Sequence, residues 1–107
     1  MNNKKPQVIL LTGAASGIGA ASARHAIALG YKVMLADING KGVRELAAVL
    51  GERASAVSLD ICSEQQWEAA IDATYKHFGQ LDILINNAAV VYPGYAREVT
   101  LMQHQKT

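Results

Sequence analysis

Thr12-Gly13-Ala14-Ala15-Ser16-Gly17-Ile18-Gly19 follows the apolar run Val8-Ile9-Leu10-Leu11 and precedes an alanine-rich, helix-forming stretch. A strand, a glycine turn and a helix in that order aim the helix N-terminus at whatever lies above the turn. That end carries unpaired N–H groups and roughly half a positive charge, which suits a phosphate. The chemistry expected is dinucleotide binding. Gly13 permits the tight turn, Gly17 lets backbone approach the pyrophosphate, and Gly19 lets helix and strand pack closely. Ser16 can add a hydroxyl to the phosphate oxygens, and Ile18 completes the first helical turn beside them. Thr12 is expected to tie the turn together through its side chain. The spacing is Gly-x-x-x-Gly-x-Gly, not the Gly-x-Gly-x-x-Gly of the commonest dinucleotide fingerprint.

Asp37 ends a second apolar run, Val33-Met34-Leu35-Ala36, eighteen residues beyond Gly19. A carboxylate at about that separation can accept hydrogen bonds from the adenosine ribose hydroxyls. It would also repel a 2′-phosphate, and neither Ala14, Ala15, Ala36 nor Ile38 supplies an offsetting cation. NAD is therefore expected over NADP, with Ile38 beside the sugar. Capping the helix that follows Asn39 is the plainer role for Asp37, and the two roles can coexist. Asp60 closes a third run, at the sheet edge that faces a ligand crevice. It could accept from the adenine amino group with Ile61 against the ring, or serve as a turn aspartate. Asn86-Asn87-Ala88-Ala89 follows Leu81-Asp82-Ile83-Leu84-Ile85. Two amides ending a buried strand are costly unless hydrogen-bonded, so they should bind backbone or ligand.

These four pieces, in this order, resemble the N-terminal half of the short-chain dehydrogenase/reductase family, whose marks include Thr-Gly-x-x-x-Gly-x-Gly and Asn-Asn-Ala-Gly. The resemblance covers essentially the whole chain. It implies a strand order of 3-2-1-4, a sheet-steadying role for Asn87, and an Ala88 and Ala89 backbone beside the cofactor's ribose. Ala89 stands where the family usually has glycine. It also implies hydride transfer between nicotinamide and a small-molecule alcohol or ketone, by a tyrosine acid/base with a lysine four residues on, a serine and a helix asparagine. No tyrosine here has that lysine: Tyr31 meets Leu35, Tyr75 meets Gly79, Tyr92 meets Ala96 and Tyr95 meets Val99. Catalytic residues are thus expected to be absent, and this chain alone inactive. The alternatives are a non-catalytic dinucleotide-binding or assembly module, or an inert fragment. Homo-oligomers are implied for a completed chain.

Short apolar runs alternating with longer amphipathic stretches predict an α/β domain, a Rossmann-type doubly wound parallel sheet of about four strands. Strands are expected near Gln7–Thr12, Lys32–Asp37, Ala54–Leu59 and Leu81–Asn86, each apolar enough for burial on both faces. Helices are expected near Gly17–Leu29, Lys41–Leu50 and Ser63–Phe78. Gly30, Gly51 and Gly79 each follow a helix, where positive φ commonly ends the last turn. Ser63 and Gln66 form a capping-box pattern, and Trp67, Ala70, Ile71 and Thr74 share one helix face. Tyr92-Pro93-Gly94-Tyr95 reads as a turn, and Thr100 as the cap of a helix that stops after little more than a turn. The chain is therefore expected to be one domain, interrupted at its C-terminus. An unpaired fourth strand would be an aggregation or pairing hazard.

With 107 residues, half of them hydrophobic, there is material for one core. A formal charge of +1 offers no basic field for nucleic acid. No apolar run approaches the roughly 20 residues that span a bilayer, and Val8–Leu11 is too short for a signal peptide. One cysteine, Cys62, cannot form an internal disulfide, so a reducing cytoplasm is the expected compartment. Cys62 reads as a small packed residue, and His25, His77 and His104 as surface positions without metal-ligand spacing.

Overall fold

The computed structural model describes residues 5–87. Four strands and three helices alternate: β1 Val8–Thr12, α1 Gly17–Ala28, β2 Lys32–Asp37, α2 Gly40–Leu50, β3 Ala54–Ser58, α3 Glu64–Phe78 and β4 Ile83–Asn86. All strand pairs are parallel and the order is β3-β2-β1-β4. The expected strand order, the four expected strands and the three expected helices between them are present. Residues Ala88 and Ala89, the Pro93-Gly94 turn and the helix expected after Thr100 lie outside the described residues.

Side-chain alternation sorts the core into two layers. Ile9, Leu11, Val33 and Leu35 meet Ala23 and Ile27 of α1 and Val43 and Leu46 of α2 on one face. Leu10, Met34 and Ala36 meet Ala70 of α3 on the other, with Trp67 and Ile71 packed alongside. Helices on both faces are what right-handed crossovers produce when the chain leaves β1 in one direction and returns to its other side for β4. The crevice at the carboxyl ends of β1 and β4 is therefore a topological switch point, where open α/β sheets bind ligands.

Burial on both faces holds for β1 and β2 but not for the other two strands. Every residue of β1 is buried, whereas β3 and β4 are mostly half-buried and Ile85 is exposed. β3 is an edge strand, and β4 pairs with β1 alone among the described residues.

Local chemistry accounts for the boundaries. Gly30, Gly51 and Gly79 have φ of 101°, 93° and 81°, which stops each helix. β4 starts two residues later than expected because the Asp82 carboxylate, not a backbone carbonyl, accepts the Val8 N–H at 2.8 Å. Ser63 caps α3 by accepting from the Gln66 N–H. The reciprocal half of the capping box is absent: Gln66 Oε1 accepts the Asp60 N–H at 2.7 Å, and the Ser63 N–H donates to the Asp60 carbonyl. Cys62 is exposed rather than packed, because it sits on the turn that leads into α3. His25 and His77 are on the surface as expected. No helix among the described residues is long and apolar enough to cross a membrane.

Candidate functional site at the carboxyl edge of the sheet

Parallel register brings the four sequence features to one edge. Thr12 lies beside Ala36 on one side and Asn86 on the other, and Asp37 lies beside Ser58, two residues before Asp60. The turn after β1 rises from this edge. Gly13 has a φ of 67°, a conformation that favours glycine. Its carbonyl accepts from the Ser16 N–H (3.3 Å) and the Ser16 hydroxyl (2.8 Å), with the Asn87 side-chain amide at a long 3.5 Å. Ser16 then caps α1, its hydroxyl oxygen accepting the Gly19 N–H at 3.4 Å. In this arrangement the Ser16 proton is directed at Gly13, not outward.

Gly19 is buried against this turn. A Cβ there would stand 1.9 Å from the Gly13 carbonyl oxygen and 2.9 Å from Asn87 Nδ2. The close approach is thus between helix and turn, one step beyond the expected helix–strand packing. Gly17 is the opposite case: a Cβ there would meet nothing within 4 Å. Gly17 and Ile18 are exposed, Ile18 to 74%, and their N–H groups have no acceptor among the described residues. The first turn of α1 itself holds no acidic side chain. Open space above two free amides fits a diphosphate.

Asp37 stands beside the turn. Its Oδ2 accepts the Ala15 N–H at 3.0 Å and its Oδ1 accepts the Asn39 N–H at 2.8 Å. The cap of α2 is Asn39, which accepts from the Gly42 N–H, so Asp37 holds the cap without being it. Ile38, next in the chain, is 75% exposed. Each oxygen of an ionised carboxylate keeps further acceptor capacity after one hydrogen bond.

Asp60 has the turn role: Oδ1 accepts the Cys62 N–H at 3.0 Å, while Oδ2 has no partner among the described residues. Half-buried Ile61 packs on the α3 layer, and its carbonyl accepts the Trp67 indole N–H at 2.8 Å. Sequence reading missed that Gln66 and Trp67 of α3 hold this segment. The Ser63-x-x-Gln66 pattern pointed to the right residue but to a different donor, the Ser63 N–H instead of the Asp60 N–H.

At the end of β4 both amides find partners, as burial demands. The buried Thr12 hydroxyl donates to Asn86 Oδ1 and accepts the Asn87 N–H at 3.0 Å. Thr12 thus joins β1 to β4, a longer reach than tying its own turn. Among the described residues no three His, Cys, Asp or Glu side chains converge as a metal site.

The sequence profile of the family described as short chain dehydrogenase matches residues 7–107. The chain belongs to that family. The 3-beta-hydroxysteroid dehydrogenase of Comamonas testosteroni is 39% identical over 93 residues, covering 87% of this chain and 37% of its own length. Galactitol 2-dehydrogenase of Agrobacterium fabrum is 44% identical over 90 residues, covering 84% and 34%. Among solved structures, the NADH complex of 3-ketoacyl-(acyl-carrier-protein) reductase from Brucella melitensis superposes with a TM-score of 0.76 at 39% identity. That match covers 78% of this chain and 34% of the reductase. A short chain dehydrogenase/reductase from Burkholderia phymatum in complex with NAD gives 0.75 at 33% identity, covering 84% and 33%. The chain therefore spans little more than a third of the length of these short chain dehydrogenases.

Proposed function

We propose that this chain is the NAD-binding portion of an oxidoreductase that moves a hydride between NAD(H) and an alcohol or ketone. The observation that carries the reading is the pair of amides at Gly17 and Ile18, without acceptors among the described residues, on a turn held by the Asp37 carboxylate through Ala15. Gly13 and Gly19 shape the turn, Ser16 aims the helix end, and the Gly17 and Ile18 N–H groups take the diphosphate. Asp37 accepts from the adenosine ribose, with Ile38 against that nucleoside. Asp60 and Ile61 take the adenine, Asp60 through its unpartnered Oδ2. Asn87, with Ala88 and Ala89 after it, borders the nicotinamide ribose. The bound dinucleotide supplies the hydride chemistry; these residues bind and orient it.

No tyrosine of the chain has a lysine four residues on, so the family's acid/base pair is not among these residues. A second reading is a dinucleotide-binding module without turnover. Both readings require binding, and an assay over an alcohol and ketone panel separates them.

Calorimetric titration tests the shared claim. The protein should bind NAD at least ~10-fold more tightly than NADP, because a 2′-phosphate beside Asp37 sets like charges together and each ~1.4 kcal/mol is tenfold. Asp37→Ala should shrink that ratio at least ~10-fold. No heat with either dinucleotide, or a ratio untouched by the substitution, would refute the reading.

A further inference from the structure

We propose that Asp37 is also a positioning residue for the phosphate-binding turn, so that one carboxylate sets both the sugar contact and the aim of the helix amides. The inference rests on the dinucleotide reading above. Two consecutive amides of the turn point at the end of β2: the Ala14 N–H donates to the Ala36 carbonyl at 3.1 Å, and the Ala15 N–H to Asp37 Oδ2 at 3.0 Å. Ser16, the next residue, is the cap whose hydroxyl bridges the Gly13 carbonyl and the Gly19 N–H. The free amides of Gly17 and Ile18 come directly after it. Asp37 therefore holds the Ala14–Ala15 peptide, one link before the peptide that enters the cap.

Its other oxygen does the same on the neighbouring helix. Oδ1 accepts the N–H of Asn39, whose side chain caps α2 through Gly42. The starts of α1 and α2 are joined through a single carboxylate. Their approach is close, since a Cβ on Gly42 would stand 3.2 Å from the Ala15 Cβ. Without the carboxylate, the Ala15 N–H loses its acceptor inside the protein and is free to rotate toward solvent or ligand. The cap and the two amides beyond it then lose one of the tethers that fix their direction, keeping those of Ser16 to the Gly13 carbonyl and of Ala14 to the Ala36 carbonyl. A hydrogen bond to a charged acceptor is among the stronger ones in proteins, so the effect should be measurable.

A ligand lacking the sugar hydroxyls separates this role from the direct contact. The protein, Asp37→Ala and Asp37→Asn are titrated with ADP and with 2′,3′-dideoxyadenosine 5′-diphosphate, and exchange of the Ala14 and Ala15 amides is followed by NMR. Asp37→Ala should bind the dideoxy nucleotide about 10-fold more weakly than the parent, although no sugar hydroxyl remains to be lost. Its Ala15 amide should exchange about 10-fold faster, with Ala14 unchanged. Asp37→Asn keeps one acceptor oxygen and should fall between, and it carries the comparison where the alanine variant does not fold. Equal affinity of all three proteins for the dideoxy nucleotide, with only ADP weakened, would overturn the inference. A parent that binds neither nucleotide would instead overturn the reading beneath it.

Discussion

Gly19→Ala should lower the melting temperature by roughly 4–12 °C or more, or prevent folding altogether. The added methyl would stand 1.9 Å from the Gly13 carbonyl oxygen and 2.8 Å from its carbon, both backbone atoms. Relief requires the turn to move, and the Gly13 carbonyl is the shared acceptor for Ser16 and Asn87. Overpacking a tight site costs about 1–3 kcal/mol and sometimes more, and at this chain length each 1 kcal/mol is worth about 4 °C or more. Gly17→Ala is the matched control, because its methyl meets only open space. It should melt with the parent yet bind NAD about 10-fold more weakly, since the space it fills is the one the proposed function gives to the diphosphate. Circular-dichroism melts with calorimetry on both variants check this. A Gly19→Ala protein that melts with the parent would show that helix and turn are not in this contact.

Thr12→Val should cost about 2–4 kcal/mol, most of it recovered in Thr12→Ser. The side chain is fully buried, and its hydroxyl serves Asn86 Oδ1 and the Asn87 N–H at once. Valine keeps the shape and removes the hydroxyl from both half-buried partners; a buried unsatisfied polar group costs about 1–3 kcal/mol, and half-burial puts each of these toward the lower part of that range. Serine keeps the hydroxyl and loses a methyl, worth about 1 kcal/mol. Denaturant unfolding reads the difference as a shift in midpoint at unchanged slope. A valine variant as stable as the serine one would mean that the β1–β4 joint does not depend on this hydroxyl.

These two sites mark where sequence reading reached and where it stopped. The glycine run, the apolar strands and the glycine stops at 30, 51 and 79 were legible because each depends on its own residue type and immediate neighbours. The strand order came from the family resemblance rather than from periodicity. The contacts that shape the site were not legible. Ala15 is bonded to Asp37 through its backbone N–H, which every residue but proline carries, so nothing in the residue type announces it. Thr12 reaches Asn86 across 74 positions, a pairing only the assembled sheet creates. Asp82 and Gln66 went unread for a related reason. Both place a side-chain oxygen where a backbone or capping partner was expected, and both spacings allow either outcome. The over-prediction of burial for β3 and β4 has a different cause: an apolar run does not reveal whether its strand has a neighbour on each side.

The central claim is that a dinucleotide sits over the β1–α1 turn, and a two-dimensional amide NMR titration with NAD tests it residue by residue. The largest shifts should fall on Gly17 and Ile18, whose N–H groups have no acceptor among the described residues, with smaller ones at Ser16, Gly19 and Asp37. Gly51 and Gly79, at the far ends of α2 and α3, should not move. A spectrum in which NAD leaves the Gly17 and Ile18 amides in place, or shifts Gly51 and Gly79 as much, would contradict the account.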